Sequence, residues 1–229
     1  MIKMKNKILT AVCLTLCSAF ILSSCSSSQI KTYTDKDGKS YDIVYDENGN
    51  FVTNDNKLQV YLLSDNGKRI KDESGEYRTD FIEFNGQITD GRHVQTKELE
   101  FTLPSGFTQS YDTGLLFLND DMGAQIYISA LADTDIEQQY KLIESNCSQL
   151  QESYGSDQFS YDIYDLKTSK GNVSVRAFKL ICTSSDYPKT DYYYYFNVND
   201  KIYLVNASVA TDSVKKVKFD SFAESFVFK

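Results

Sequence analysis

The sequence predicts an α+β protein in which a hairpin-rich β segment precedes a domain of antiparallel strands and a few helices. Three observations carry this. Glycine turn pairs recur between residues 37 and 91, separated by short alternating stretches. One long amphipathic stripe, from Ile136 to Tyr154, has helical spacing. Around that stripe lie apolar segments of strand length that alternate with period two.

At the start of the chain, Lys3, Lys5 and Lys7 precede an apolar run over residues 8–22, interrupted by Thr10, Thr15 and Ser18. A basic region, a short apolar core and small residues before a cut read as a secretory signal peptide. The run is too short and too broken for a membrane span of roughly 20 residues. Leu22-Ser23-Ser24-Cys25 resembles the lipobox of bacterial lipoproteins. That resemblance implies that Leu22, Ser23 and Ser24 are read by the signal peptidase, and that Cys25 becomes the lipidated N-terminus. The other reading is an ordinary secreted protein in which Cys25 is incidental. The expected organisation is a signal peptide over 1–24 and a flexible tether over 25–32, where Ser26, Ser27, Ser28 and Gln29 have nothing to bury. The expected place is the extracytoplasmic face of the cell membrane, held by the lipid.

Without the three lysines of residues 1–24, 21 basic side chains face 32 acidic ones, a net charge of −11. That balance excludes nucleic acid as a partner, since phosphates need a basic footprint. It also opposes adsorption of the protein body to an anionic lipid surface, so attachment falls to the lipid on Cys25. Cys13 and Cys17 leave with the signal peptide. Cys147 and Cys182 are too few for a disulfide scaffold. They can pair in an oxidising compartment, or be buried as small hydrophobes, the reading favoured by the apolar pattern around each.

Residues 33–95 form the hairpin-rich segment, with few large apolar residues and partial disorder as one expectation. Its turns are Asp37-Gly38, Asn48-Gly49, Asn66-Gly67, Ser74-Gly75, Asn85-Gly86 and Asp90-Gly91, between strands marked by Tyr41-Ile43-Tyr45, Leu58-Val60-Leu62 and Ile82-Phe84. The acidic turns at Asp35-Lys36-Asp37-Gly38 and Asp46-Glu47-Asn48-Gly49 offer oxygens before a glycine, as a Ca²⁺ loop does. Registered on the EF-hand pattern both fail: the first ligand position falls on Tyr33 or Val44. Hairpin turns chosen for backbone conformation are the expectation, and no metal or cofactor is assigned.

Residues 96–229 read as a packed domain. Leu99, Phe101 and Leu103 alternate up to the Pro104-Ser105-Gly106 turn; Ile126, Ile128 and Ala130 mark a half-buried strand. Asp133 or Thr134 caps the helix, whose face is Ile136, Tyr140, Ile143, Cys147, Leu150 and Tyr154, and Gly155 stops it. Strands follow over 159–166 and 172–183, the latter apolar on both faces and so needing a cover on each. A hairpin over 191–198 and 201–210 turns at Asn199-Asp200. A helix over 211–221 and a short last strand close the pattern.

Leu103-Pro104-Ser105-Gly106-Phe107 at one end, Ser221-Phe222 to Ser225-Phe226 at the other, and a helix and four antiparallel strands between them resemble the PsbP-like family over about residues 97–229. The resemblance implies an α/β/α sandwich around an antiparallel sheet, and a binding or accessory role without a shared catalytic motif. It transfers no functional residue. Leu103-Pro104-Ser105-Gly106 is not a sortase signal: it lacks threonine before glycine and sits mid-chain.

Catalytic chemistry has little to use. His93 is the single histidine, so any histidine triad or two-histidine metal site must use it or fail; a surface position is expected. No Gly-x-Ser-x-Gly elbow, phosphate loop or Cys-x-x-Cys is present. Carboxylate pairs for glycoside hydrolysis remain open among 32 acids. In Tyr192-Tyr193-Tyr194-Tyr195, Tyr192 and Tyr194 share a strand face and offer a flat amphipathic platform for a sugar ring or a partner protein; ordinary strand packing is the alternative. Lys215, Lys216 and Lys218 read as a solvated face. The expected function is binding, as an accessory to an envelope protein or glycan. A hydrolase of cell-wall or extracellular polymers competes with it, and a structural spacer is the third class.

Overall fold

A computed structural model describes residues 30–35, 37–110, 115–131, 135–183 and 188–229. Leu22, Ser23, Ser24 and Cys25 lie outside the described residues, as do the expected caps Asp133 and Thr134.

Strands β1 (Thr32–Thr34), β2 (Ser40–Ile43), β3 (Thr53–Asn54), β4 (Lys57–Tyr61) and β5 (Thr79–Glu83) form a five-stranded sheet. β4 is its centre: β2 and β3 pair with its two ends, and β5 runs along it with Leu58 opposite Ile82. Tyr33, Ile43, Phe51, Leu58 and Val60 make a small core. The acidic turns share one device. Asp35, Asp46 and Asp72 each open a loop that turns at a glycine of positive φ, Gly38, Gly49 and Gly75. Each Oδ1 accepts the main-chain N–H groups two and four residues on, at 2.8–3.1 Å. The carboxylate therefore substitutes for a backbone turn, which is why an acid stands at that position.

Next come β6 (Gln87–Asp90), β7 (His93–Thr96) and β8 (Leu99–Thr102), an antiparallel meander. The chain then builds a seven-stranded sheet from β9 (Thr108–Ser110), β10 (Leu116–Asn119), β11 (Ala124–Leu131), β12 (Phe159–Lys167), β13 (Ser174–Cys182), β14 (Lys189–Val198) and β15 (Lys201–Ala210). Its order is β12-β13-β14-β15-β11-β10-β9. Asn199 and Asp200 both have positive φ, 51° and 60°, the geometry of the two-residue hairpin turn between β14 and β15. Helix α1 (Ile136–Tyr154) connects β11 to β12. Asp135 is its cap, accepting the Glu137 N–H at 2.9 Å, and Gly155 at φ 82° ends it.

The two faces of this sheet are covered differently. On one, Ile143 and Cys147 of α1 pack on Phe178, Leu180, Tyr195 and Ile202. On the other, the expected helix over 211–221 breaks into a 3₁₀ turn (Thr211–Lys216) and a six-residue helix α2 (Phe219–Glu224), because Val217 between them is extended. Six residues span about 9 Å, whereas seven strands span about 29 Å. A helix of that length leaves most of the face open. The remainder is covered by β7 and β8, with Val94, Leu99 and Phe101, and by β16 (Val227–Phe228), which returns to pair with β8. Phe226, just before β16, stacks on Phe101 and Phe196, each at 4.9 Å.

Among the described residues the fold is thus mostly β, three antiparallel sheets with few helices, and the expected α+β fold with its helix-flanked α/β/α sandwich is overturned. The four-stranded sheet β16-β8-β7-β6 is a middle layer. Val94, Leu99 and Phe101 face the large sheet; Ile88, Gln95 and Glu100 face the first one, where Ile88 joins its core and Gln95 meets the Tyr45 hydroxyl.

Candidate functional site

Where the three sheets meet, two turns stand side by side. One is Asn85-Gly86, between β5 and β6, with Gly86 at φ 88°. The other is Lys97-Glu98, between β7 and β8, held by Thr96, whose hydroxyl oxygen accepts the N–H groups of Glu98 and Leu99 at 3.2 and 3.1 Å. Asn85, Gly86 and Lys97 line two chambers at once, which makes one groove.

The first chamber, about 480 Å³, has the half-buried Phe84 on its apolar side, backed edge to face at 5.4 Å by Phe51, which belongs to the core of the first sheet. Asp55, Asn56, Asn85 and Thr53 surround them with amide, carboxylate and hydroxyl groups. Asp55 is held in place by a positive φ of 53° at the tight β3–β4 turn. Aromatic carbon beside planar polar groups matches a sugar ring, which presents C–H on one side and hydroxyls at its rim.

The second chamber, about 290 Å³, lies between the middle layer and the large sheet and is lined by Glu98, Leu115, Ile128 and Tyr203. Glu98 accepts the Tyr203 hydroxyl at 2.7 Å and the Lys201 ammonium on its other oxygen. The bond to Lys201, and then that to Tyr203, hold the Glu98 carboxyl below the usual range, while burial and Glu98 push the Tyr203 hydroxyl up. Glu98 therefore stays ionised and has no proton to donate as a general acid. Among the described residues lining the groove, the only other carboxylate is Asp55, in the other chamber.

No family model matches the chain, and no curated protein matches it. Among solved structures it is similar to the solution structure of cyanobacterial PsbP (CyanoP) from Synechocystis sp. PCC 6803. That match has 14% identity and a TM-score of 0.38 and covers 71% of this chain and 92% of that one. No residue is carried across from it.

The sequence-predicted residues lie elsewhere. Tyr192 and Tyr194 are 7% and 0% exposed, stacked at 6.0 Å beneath α2. Tyr195 is buried on the α1 side and Tyr193 half-buried there, so neither pair forms the expected open platform. His93 is half-exposed on β7, 3.7 Å from Glu100. Cys147 is a free buried thiol, so no bridge joins it to Cys182; burial pushes its pKa up and makes it unreactive. Of the groove residues, Asn85 was legible in the sequence only as part of the Asn85-Gly86 turn, and Asp55 and Lys97 belong to no motif there.

Proposed function

We propose that the protein is anchored by a lipid on Cys25 at the extracytoplasmic face of the cell membrane and acts by binding an envelope glycan in the groove at Asn85 and Lys97. The observation that supports this reading is the chamber of about 480 Å³ in which the half-buried Phe84 stands among Asp55, Asn56 and Asn85. The ionised state of Glu98 favours binding over hydrolysis, because a glycosidase needs one carboxyl kept protonated.

The test has two parts. Metabolic labelling with a fatty-acid analogue is expected to mark the wild-type chain and leave Cys25→Ser unmarked. The full chain in detergent is then passed over insoluble cell-wall polysaccharide. Retention is expected, with a loss of tenfold or more in Asp55→Ala/Asn85→Ala and no sugar released. Release of sugar would make the protein a hydrolase. No retention, with one dominant protein crosslinked on intact cells, would make it an accessory to that protein instead.

A further inference from the structure

We propose that a second cavity, separate from the groove, is a binding site for a soluble phosphate ester. It lies between the β6–β7 turn, the Pro104-Ser105 turn and α2, and holds about 460 Å³. Arg92 enters it from the first of these turns, and Lys216 and Lys218 from the segment leading into α2. None of the described residues lining it is acidic, in a chain with 32 acidic side chains against 24 basic ones. Among the described residues, none of the three cations forms an ion pair. Three like charges on one cavity with no carboxylate to offset them leave their field for a ligand.

The surrounding groups narrow the ligand class. Arg92 is oriented by one bond, from Nη1 to the Ser105 hydroxyl at 3.1 Å, which leaves the rest of its planar fork for an oxyanion. The lysines supply point charges, and the Ser221 hydroxyl lines the same space. Three cations match a phosphate better than a single carboxylate. Leu103, Pro104 and Phe222 give part of the remaining wall apolar character beside Thr102 and Ser225, so an organic group carrying the phosphate is accommodated as well. The ester is soluble rather than a lipid headgroup, because residues 25–229, with 21 basic against 32 acidic side chains, are repelled by an anionic bilayer.

The probe is glycerol phosphate, titrated calorimetrically into the full-length protein in detergent at low salt. Saturable one-site binding that weakens as salt is added is expected. Lys216→Gln/Lys218→Gln, at exposed positions, is expected to weaken it at least tenfold with an unchanged melting temperature. Lys215→Gln, whose side chain does not line the cavity, is expected to bind as wild type. Absence of saturable binding, or equal binding by the double variant and Lys215→Gln, would overturn the proposal. Binding to vesicles of anionic phospholipid without binding to glycerol phosphate would also overturn it. Asp55→Ala/Asn85→Ala serves as the control that separates this site from the glycan groove, and its phosphate affinity is expected to be unchanged.

Discussion

The Tyr194 hydroxyl donates to Oδ1 of Asp220 at 2.8 Å, and Tyr164 donates to the same oxygen at 2.7 Å. One comes from β14 and the other from β12, so a single carboxylate fastens α2 across the large sheet. Burial, and then Asp220, drives the Tyr194 hydroxyl far above its ordinary range. Asp220→Ala leaves two hydroxyls without their acceptor and is expected to cost about 2–3 kcal/mol in urea unfolding. Asp220→Asn keeps an acceptor oxygen and is expected to cost less. Equal losses for the two variants would show that the hydrogen bonds to Oδ1 are not what holds α2.

Gly106 sits at φ 84°, and a β-carbon there would meet the Asn119 Nδ2 at 2.6 Å. Asn119 is 4% exposed and its Oδ1 accepts the Met122 N–H at 3.2 Å, so it has little room to retreat. Gly67, at φ 76°, has open space around it. Gly67→Ala is expected to cost about 1 kcal/mol for backbone strain alone. Gly106→Ala is expected to cost clearly more, and denaturation midpoints of the two variants give the comparison.

Asp46 accepts two main-chain N–H groups through one oxygen, at 2.9 and 2.8 Å. Asp46→Ala removes that acceptor and is expected to destabilise by about 1 kcal/mol. Asp46→Asn retains an oxygen there and is expected to lie close to wild type. Addition of Ca²⁺ is expected to leave the melting temperature of all three proteins unchanged; a rise confined to wild type would return the turn to cation binding.

Glu98 titrates below the ordinary glutamate value of 4.5 when folded. As pH falls, the unfolded chain takes up this proton first, so the Lys201 and Tyr203 interactions stabilise fully above that value and fade as the pH drops through the depressed one. Between about pH 5 and about pH 3, wild type is expected to lose more melting temperature than Glu98→Gln. Parallel profiles would remove Glu98 from the acid sensitivity of the fold.

At the alkaline end, burial pushes Tyr45, Tyr192 and Tyr195 up from 10.0 to about 12. A raised folded value means that stability is full below the unfolded value and declines as pH climbs from there. Tyrosinate absorbance of the folded chain is expected to show these three still protonated well above pH 10, with unfolding releasing them together.

The local elements were legible because their signals are local. The stripe from Ile136 to Leu150 faces the sheet, and only Tyr154, 47% exposed, runs off it. The Asn199-Asp200 turn and the two-faced burial of β13, with Val175 and Ala177 on one side and Phe178 and Leu180 on the other, also follow the pattern. The second cover does not, because it is assembled from Val94, Phe101 and Phe226, which share no periodicity with one another. Alternation places Tyr192 and Tyr194 on one face, but says nothing of α2 lying over them. The groove escapes for the same reason: Phe51, Asn85 and Lys97 converge through three separate turns.

β16 pairs with β8 through Phe228 opposite Leu99, a ladder closed across almost the whole of the large sheet. Every strand from β9 to β15 is threaded into the intervening loop, so this pairing cannot form ahead of them without a heavy loss of chain entropy. The last ladder is therefore a late event, and so distant a contact predicts slow folding. Until it closes, the edge of β8 is an open template, and the chain is most exposed to mispairing with its own copies at that moment.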